Sequence, residues 1–183
     1  MGVAPHSLRA IAPEDLRLLP DFDPARIHMH ISEQPKEVEE ICEWLGTRPV
    51  EWLLGEEDVN NRWCLIHCTH MTSAETQNLA ATGAVAGLCP ITESNLGDGI
   101  FNGVEFLANG GAFGVGSDSN IRISVNEELR TLEYSQRLRD ISRNVLAPGE
   151  GSVGQHLYRL AAKGGAQALA RDAGLKGGRP LGM

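Results

Sequence analysis

The chain has 183 residues, enough for one domain with a sizeable core. Its formal net charge of −8 argues against a nucleic-acid polyanion or an anionic membrane as the main partner. No run approaches the roughly 18 apolar residues of a membrane span, and Met1-Gly2-Val3-Ala4-Pro5-His6 lacks the basic-then-apolar pattern of a secretory signal.

Val3-Ala4-Pro5 reads as the end of a strand, with His6 and Arg9 just after it. Residues 26–31 read as a second strand, carrying His28 and His30 and followed by Glu33. A helix is predicted over residues 36–45, with Pro35 near its start. Residues 63–67 form a third predicted strand, with His67 at its end and His70 beyond it. Ser73-Ala74-Glu75-Thr76 carries a capping-box signal for a helix running to about Thr82, where Gly83 stops it. Residues 84–89 and 112–116 read as two more strands, separated by a short helix over 103–109 that ends at Gly110-Gly111. The last strand leads into Asp118. An amphipathic helix with Leu129, Leu132 and Leu138 is predicted over 126–139, and one or two helices over 153–170. Residues 176–183 have the composition of a linker. Continuous apolar strands alternating with helices point to right-handed βαβ units and a parallel α/β sheet.

The four cysteines, Cys42, Cys64, Cys68 and Cys89, form no CxxC pair. They suit reduced thiols and a cytoplasmic protein. Cys64 and Cys68 fit small packed residues of a strand better than zinc ligands.

Ionisable residues gather at the strand ends: His6 and Arg9, His30 and Glu33, His67 and His70, then Asp118. In parallel α/β folds the site forms at the carboxyl ends of the strands. Histidines and carboxylates there make the kit of a metal hydrolase, since imidazole and carboxylate ligate zinc and a second carboxylate shuttles protons. Each residue taken alone has a plainer reading. His28 or His70 suits packing, Glu33 a first-turn acid, Asp118 a turn, and His6 the surface. Their succession at strand ends favours chemistry.

That order resembles the amidohydrolase superfamily of metal-dependent (β/α)8 TIM barrels. His30 and Glu33 match its His-x-x-Glu on strand five, His67 its strand-six histidine, and Asp118 its strand-eight aspartate. A narrower resemblance is to the formimidoylglutamate deiminases of histidine degradation. It is carried by Ala4-Pro5-His6-Ser7-Leu8-Arg9, His28-Met29-His30-Ile31-Ser32-Glu33-Gln34, Asn95-Leu96-Gly97-Asp98-Gly99 and Gly114-Val115-Gly116-Ser117-Asp118-Ser119. The resemblance implies that residues 1–175 form a partial barrel, about strands four to eight, with 176–183 leading toward a small β-sandwich domain. The family opens its barrel with a His-x-His pair. The single His-x-His here, His28-Met29-His30, belongs to strand five by its Glu33, so the opening strands are expected to lie outside this sequence.

The resemblance further implies zinc, or another divalent metal, on His30 and Asp118. It implies catalysis by Glu33, His67 and Asp118, and a dicarboxylate substrate held by His6 and Arg9. The expected reaction is hydrolysis of N-formimino-L-glutamate to N-formyl-L-glutamate and ammonia. Arg122 is a weaker clamp candidate, and His70 competes with His67 for the strand-six role. The rivals are a guanine, cytosine or triazine deaminase of the same superfamily, and an inactive barrel fragment. The fragment would need a complementary half or self-association, for example as a homodimer, to cover its sheet edges.

Overall fold

Strand Arg26–Ile31 alternates in burial, and that alternation sets the two faces of the sheet. Ile27, Met29 and Ile31 turn into the main core, while Arg26, His28 and His30 turn the other way. The computed structural model describes residues 1–147 and 149–172; the linker expected over 176–183 lies outside them.

The described residues form strands β1 (Gly2–Val3), β2 (Arg26–Ile31), β3 (Trp63–His67), β4 (Val85–Leu88) and β5 (Ala112–Val115). They make one sheet in the order β1-β2-β3-β4-β5, with every neighbouring pair parallel. Sequence order and spatial order coincide, as in a singly wound barrel wall and unlike a doubly wound open sheet. Five strands are the number that strands four to eight require.

The helices are α1 (Pro13–Leu16), α2 (Pro35–Leu45), α3 (Pro49–Glu56), α4 (Ser73–Thr82), α5 (Pro90–Leu96), α6 (Gly103–Ala108), α7 (Val125–Asp140) and α8 (Val153–Ala168). A 3-10 turn spans Leu19–Phe22. The predicted helices are all present, and the segment over 153–170 is one helix. The helix α4 has its capping box one residue earlier than expected. Thr72, not Ser73, accepts from the Glu75 amide, and Glu75 reaches back to the Thr72 amide. Helices α1, α3 and α5 were not legible in the sequence. Each starts at a proline, which reads as a break although proline suits a first helical position.

One face of the sheet runs Met29, Leu65, Ala86, Phe113 across four strands and packs under the helices with Ile41, Leu53, Leu79, Phe106 and Leu129. The other face runs His28, Cys64, Val85, Ala112. Its lower part is covered by the end of α8, where Ala168 packs on Cys64 and Val85. Arg26 Nε donates to the Gln167 carbonyl at 2.6 Å, and His28 Nε2 bonds the Ala168 carbonyl at 2.8 Å. The Gln167 side chain donates to the carbonyls of Asn61 and Gly83, which precede β3 and β4. These contacts satisfy the open carbonyls of a helix end and tie α8 to the amino ends of three strands. His28 therefore belongs to this floor.

Close approach of α8 to β5 requires glycine. A Cβ on Gly164 would sit 2.0 Å from the Phe113 carbonyl oxygen.

Candidate active site

The carboxyl ends of β1, β2, β3 and β5 surround one open cavity of about 390 Å³. His6, Arg9, His30, Glu33, His67 and Asp118 all line it, so every site residue proposed from sequence reaches the same space. His70 and Arg122 do not line it. His70 Nε2 bonds the Asp98 carbonyl at 2.7 Å, and Arg122 pairs with Glu127 at 2.9 Å.

Backbone geometry aims these groups. Ser32, His67, Cys68 and Asp118 have positive φ, between 51° and 73°. A non-glycine residue in this region costs on the order of 1 kcal/mol. Here such residues stand where β2 and β3 end and where the chain turns beyond β5, and they bend the chain around the cavity.

Three imidazoles stand in file. The His6 and His30 rings stack with centroids 4.9 Å apart, and His30 lies 5.6 Å from His67. The His6 carbonyl accepts both the His30 backbone amide and its Nδ1–H, each at 2.9 Å. With Nδ1 protonated, His30 offers the lone pair of Nε2, the state a metal ligand needs.

His67 is buried. Its Nε2 lies 3.5 Å from Glu33 Oε1 and its Nδ1 3.3 Å from Glu93 Oε1. Burial disfavours the charged ring. The hydrogen bond to Glu93 and the charges of Glu33, Glu93 and Asp118 outweigh it and hold the imidazole above its ordinary value. Burial likewise pushes the Glu33 carboxyl up, opposed by His67 and assisted by Asp98, Glu37 and Asp118.

Donor atoms of Glu33, His67 and Asp118 lie within 4.8 Å of one another. This nitrogen-and-oxygen set fits a divalent ion. His30 lines the same cavity but joins no such group of three among the described residues. Cys64 and Cys68 join none either. Burial pushes the Cys64 thiol up to about 12 and Cys68 well above its usual range, as packed residues behave.

Arg9 is half exposed, and its Nε lies 3.3 Å from Glu40 Oε2. Sequence reasoning missed Glu37 and Glu93. Glu37 accepts the backbone amides of Ser32 and Glu33, both at 2.8 Å, and Glu93 accepts the Cys89 amide at 3.0 Å besides facing His67.

A parallel sheet in sequence order, with histidines and carboxylates converging at its carboxyl rim, has the form of a (β/α)8 barrel wall. Residues 1–176 match the amidohydrolase family, and the chain belongs to it. Within that family it is 50% identical over 177 residues to formimidoylglutamate deiminase of Pseudomonas aeruginosa, covering 95% of this chain and 39% of that protein. It is 33% identical to 5-methylthioadenosine/S-adenosylhomocysteine deaminase 2 of Archaeoglobus fulgidus, over 97% of this chain and 41% of that protein. The chain thus spans about two-fifths of the length of these curated relatives. Among solved structures, an amidohydrolase from Brucella melitensis superposes with a TM-score of 0.89 at 58% identity, over 93% of this chain and 38% of that one. An adenosine deaminase from Xanthomonas campestris with bound zinc superposes with a TM-score of 0.80 at 26% identity, over 92% of this chain and 38% of that one. Among the described residues, no helix is long and apolar enough to cross a membrane.

Proposed function

We propose that this chain carries the acid–base half of a formimidoylglutamate deiminase site, hydrolysing N-formimino-L-glutamate to N-formyl-L-glutamate and ammonia. The supporting observation is the convergence of His6, Arg9, His30, Glu33, His67 and Asp118 on one cavity. The identity to the Pseudomonas aeruginosa enzyme supports the choice of substrate.

By the resemblance to the family, His30 Nε2 and the Asp118 carboxylate would hold a divalent ion such as zinc, beside Glu33 and His67, whose donor atoms lie within 4.8 Å of those of Asp118. Bound there, such an ion supplies a water acidic enough to ionise near neutral pH. Asp118 accepts a proton from the attacking water. His67 faces the charge that develops on the formimino carbon's substituents and stabilises it. Glu33, whose carboxyl burial pushes up, is suited to deliver protons to the nitrogen that leaves as ammonia. Arg9 exchanges Glu40 for a substrate carboxylate, which guanidinium binds in bidentate fashion, and His6 assists.

Deiminase assays of the protein with Asp118→Asn and Arg9→Met test this reading. The first variant should lose turnover, and the second should mainly raise KM. A KM unmoved in Arg9→Met sinks the clamp, and preferred turnover of guanine, cytosine or a triazine sinks the substrate. The cytoplasm is the compartment this reaction and the reduced thiols fit.

A second reading is a barrel wall that works only with a complementary half, or with a second copy. It rests on the two edge strands of the sheet, β1 and β5. Molar mass and metal content in solution separate the two. An active monomer with one bound ion per chain excludes the second.

A further inference from the structure

Glu93 lies in the first turn of α5, just beyond β4, and does not line the candidate cavity. It is 4% exposed. Its Oε1 accepts two donors, the Cys89 amide at 3.0 Å and His67 Nδ1 at 3.3 Å. The amide bond anchors the carboxylate at the end of β4. From there it reaches across to the last residue of β3. A carboxylate in this role can only accept, so the imidazole nitrogen facing it must carry hydrogen. The other nitrogen, Nε2, lies 3.5 Å from Glu33 Oε1, an ion-pair distance longer than the hydrogen bond made to Glu93.

The same three residues, His67, Cys89 and Glu93, bring donor atoms within 4.8 Å. A metal there is the competing reading. It is disfavoured because Glu93 Oε1 is already taken by two N–H groups. Burial also holds the Cys89 thiol far above its ordinary value.

We propose that Glu93 is a positioning residue for His67: it fixes the Nδ1–H tautomer and the ring plane, so that Nε2 is the atom presented to Glu33 and the cavity. Glu93 would touch no substrate; it acts through His67, much as an outer carboxylate orients a ligating histidine. The kinetic consequence rests on the deiminase reading, whereas the tautomer does not.

The test is nitrogen NMR of the imidazoles in the full chain, at a pH where His67 is neutral. The parent should carry hydrogen on Nδ1 of His67. Glu93→Gln should preserve this, because its amide oxygen still accepts. Glu93→Leu should lower the ratio of Nδ1–H to Nε2–H by at least about tenfold, the loss of a hydrogen bond to a charged group. An Nε2–H ring in the parent, or an unchanged ratio in Glu93→Leu, overturns the proposal. The parent spectrum decides even where the leucine variant does not fold. In the active enzyme Glu93→Leu should lower kcat about 10–100-fold with little change in KM. It should lower kcat no further in a His67→Ala background; a full additional loss there also overturns it. A parent without deiminase activity removes the reaction assigned above and leaves the spectroscopic test intact.

Discussion

Glu37 holds Glu33 by the backbone. Its two carboxylate oxygens accept the amides of Ser32 and Glu33, each at 2.8 Å, and fix the turn that leaves β2. The residue that would carry protons is thus aimed by another acid four positions later. Replacing Glu37 with alanine strands two amide donors, one of them on fully buried Ser32. The expected cost is about 1–3 kcal/mol for each amide left without a partner. Urea unfolding should register it, and turnover should fall further than it does in Glu37→Gln, which retains one accepting oxygen.

Glu128 should make stability depend on pH. It is buried on α7, accepts the Ile91 amide at 2.9 Å through Oε2, and has no hydrogen-bond partner for Oε1 among the described residues. Burial pushes its carboxyl up to about 7 from 4.5, more than the Ile91 hydrogen bond lowers it. The folded chain therefore keeps this proton at pH values where the unfolded chain has lost it. Stability falls as pH rises from about 4.5 through about 7, and levels off above. The full span is up to about 3 kcal/mol, at about 1.4 kcal/mol for each unit of pH. Urea midpoints of the parent and Glu128→Gln, compared across that window, should diverge by this amount as pH rises. Parallel curves would mean that Glu128 ionises normally.

Gly164→Ala should loosen α8. The added methyl would lie 2.0 Å from the Phe113 carbonyl oxygen, a backbone atom of β5 that cannot step aside alone. Overpacking of this kind costs about 1–3 kcal/mol. A drop in the urea midpoint checks it, with Gly165→Ala as the control, since nothing lies within 4 Å of a Cβ there.

Thiol reagents should divide the cysteines. Cys42 is partly exposed, while Cys64, Cys68 and Cys89 are buried and burial raises all three. One thiol should react quickly in the native protein, and all four only after unfolding. Rapid titration of more than one would contradict the burial of Cys64, Cys68 and Cys89.

The strands were legible because they carry unbroken apolar runs. β2 and β3 begin and end at the predicted residues, and the ionisable groups after each strand were readable as one rim. What composition hid was the helical support. Glu37, Glu75, Glu93 and Glu128 each lie in the first turn of a helix, where an acid ordinarily faces solvent and offsets the helix dipole. Here all four are buried and accept backbone amides. Nothing in a single glutamate separates the two fates. The available signal was spatial, a strand ending five to thirteen residues earlier, and it becomes informative only once the helix start is known. The stacking of His6 on His30 was equally hidden, since 24 residues separate rings that parallel pairing of β1 and β2 brings together.

Those four acids also change what a strand end is. In β2 and its helix, the turn that aims Glu33 is fastened by Glu37 from the same βα unit. Two other latches cross from one unit to the next: Glu93, after β4, bonds His67 at the end of β3, and Glu128 on α7 accepts the Ile91 amide of α5. A substitution in one unit is therefore felt at its neighbour's strand end, and a change in the turn after β4 reaches His67 on β3.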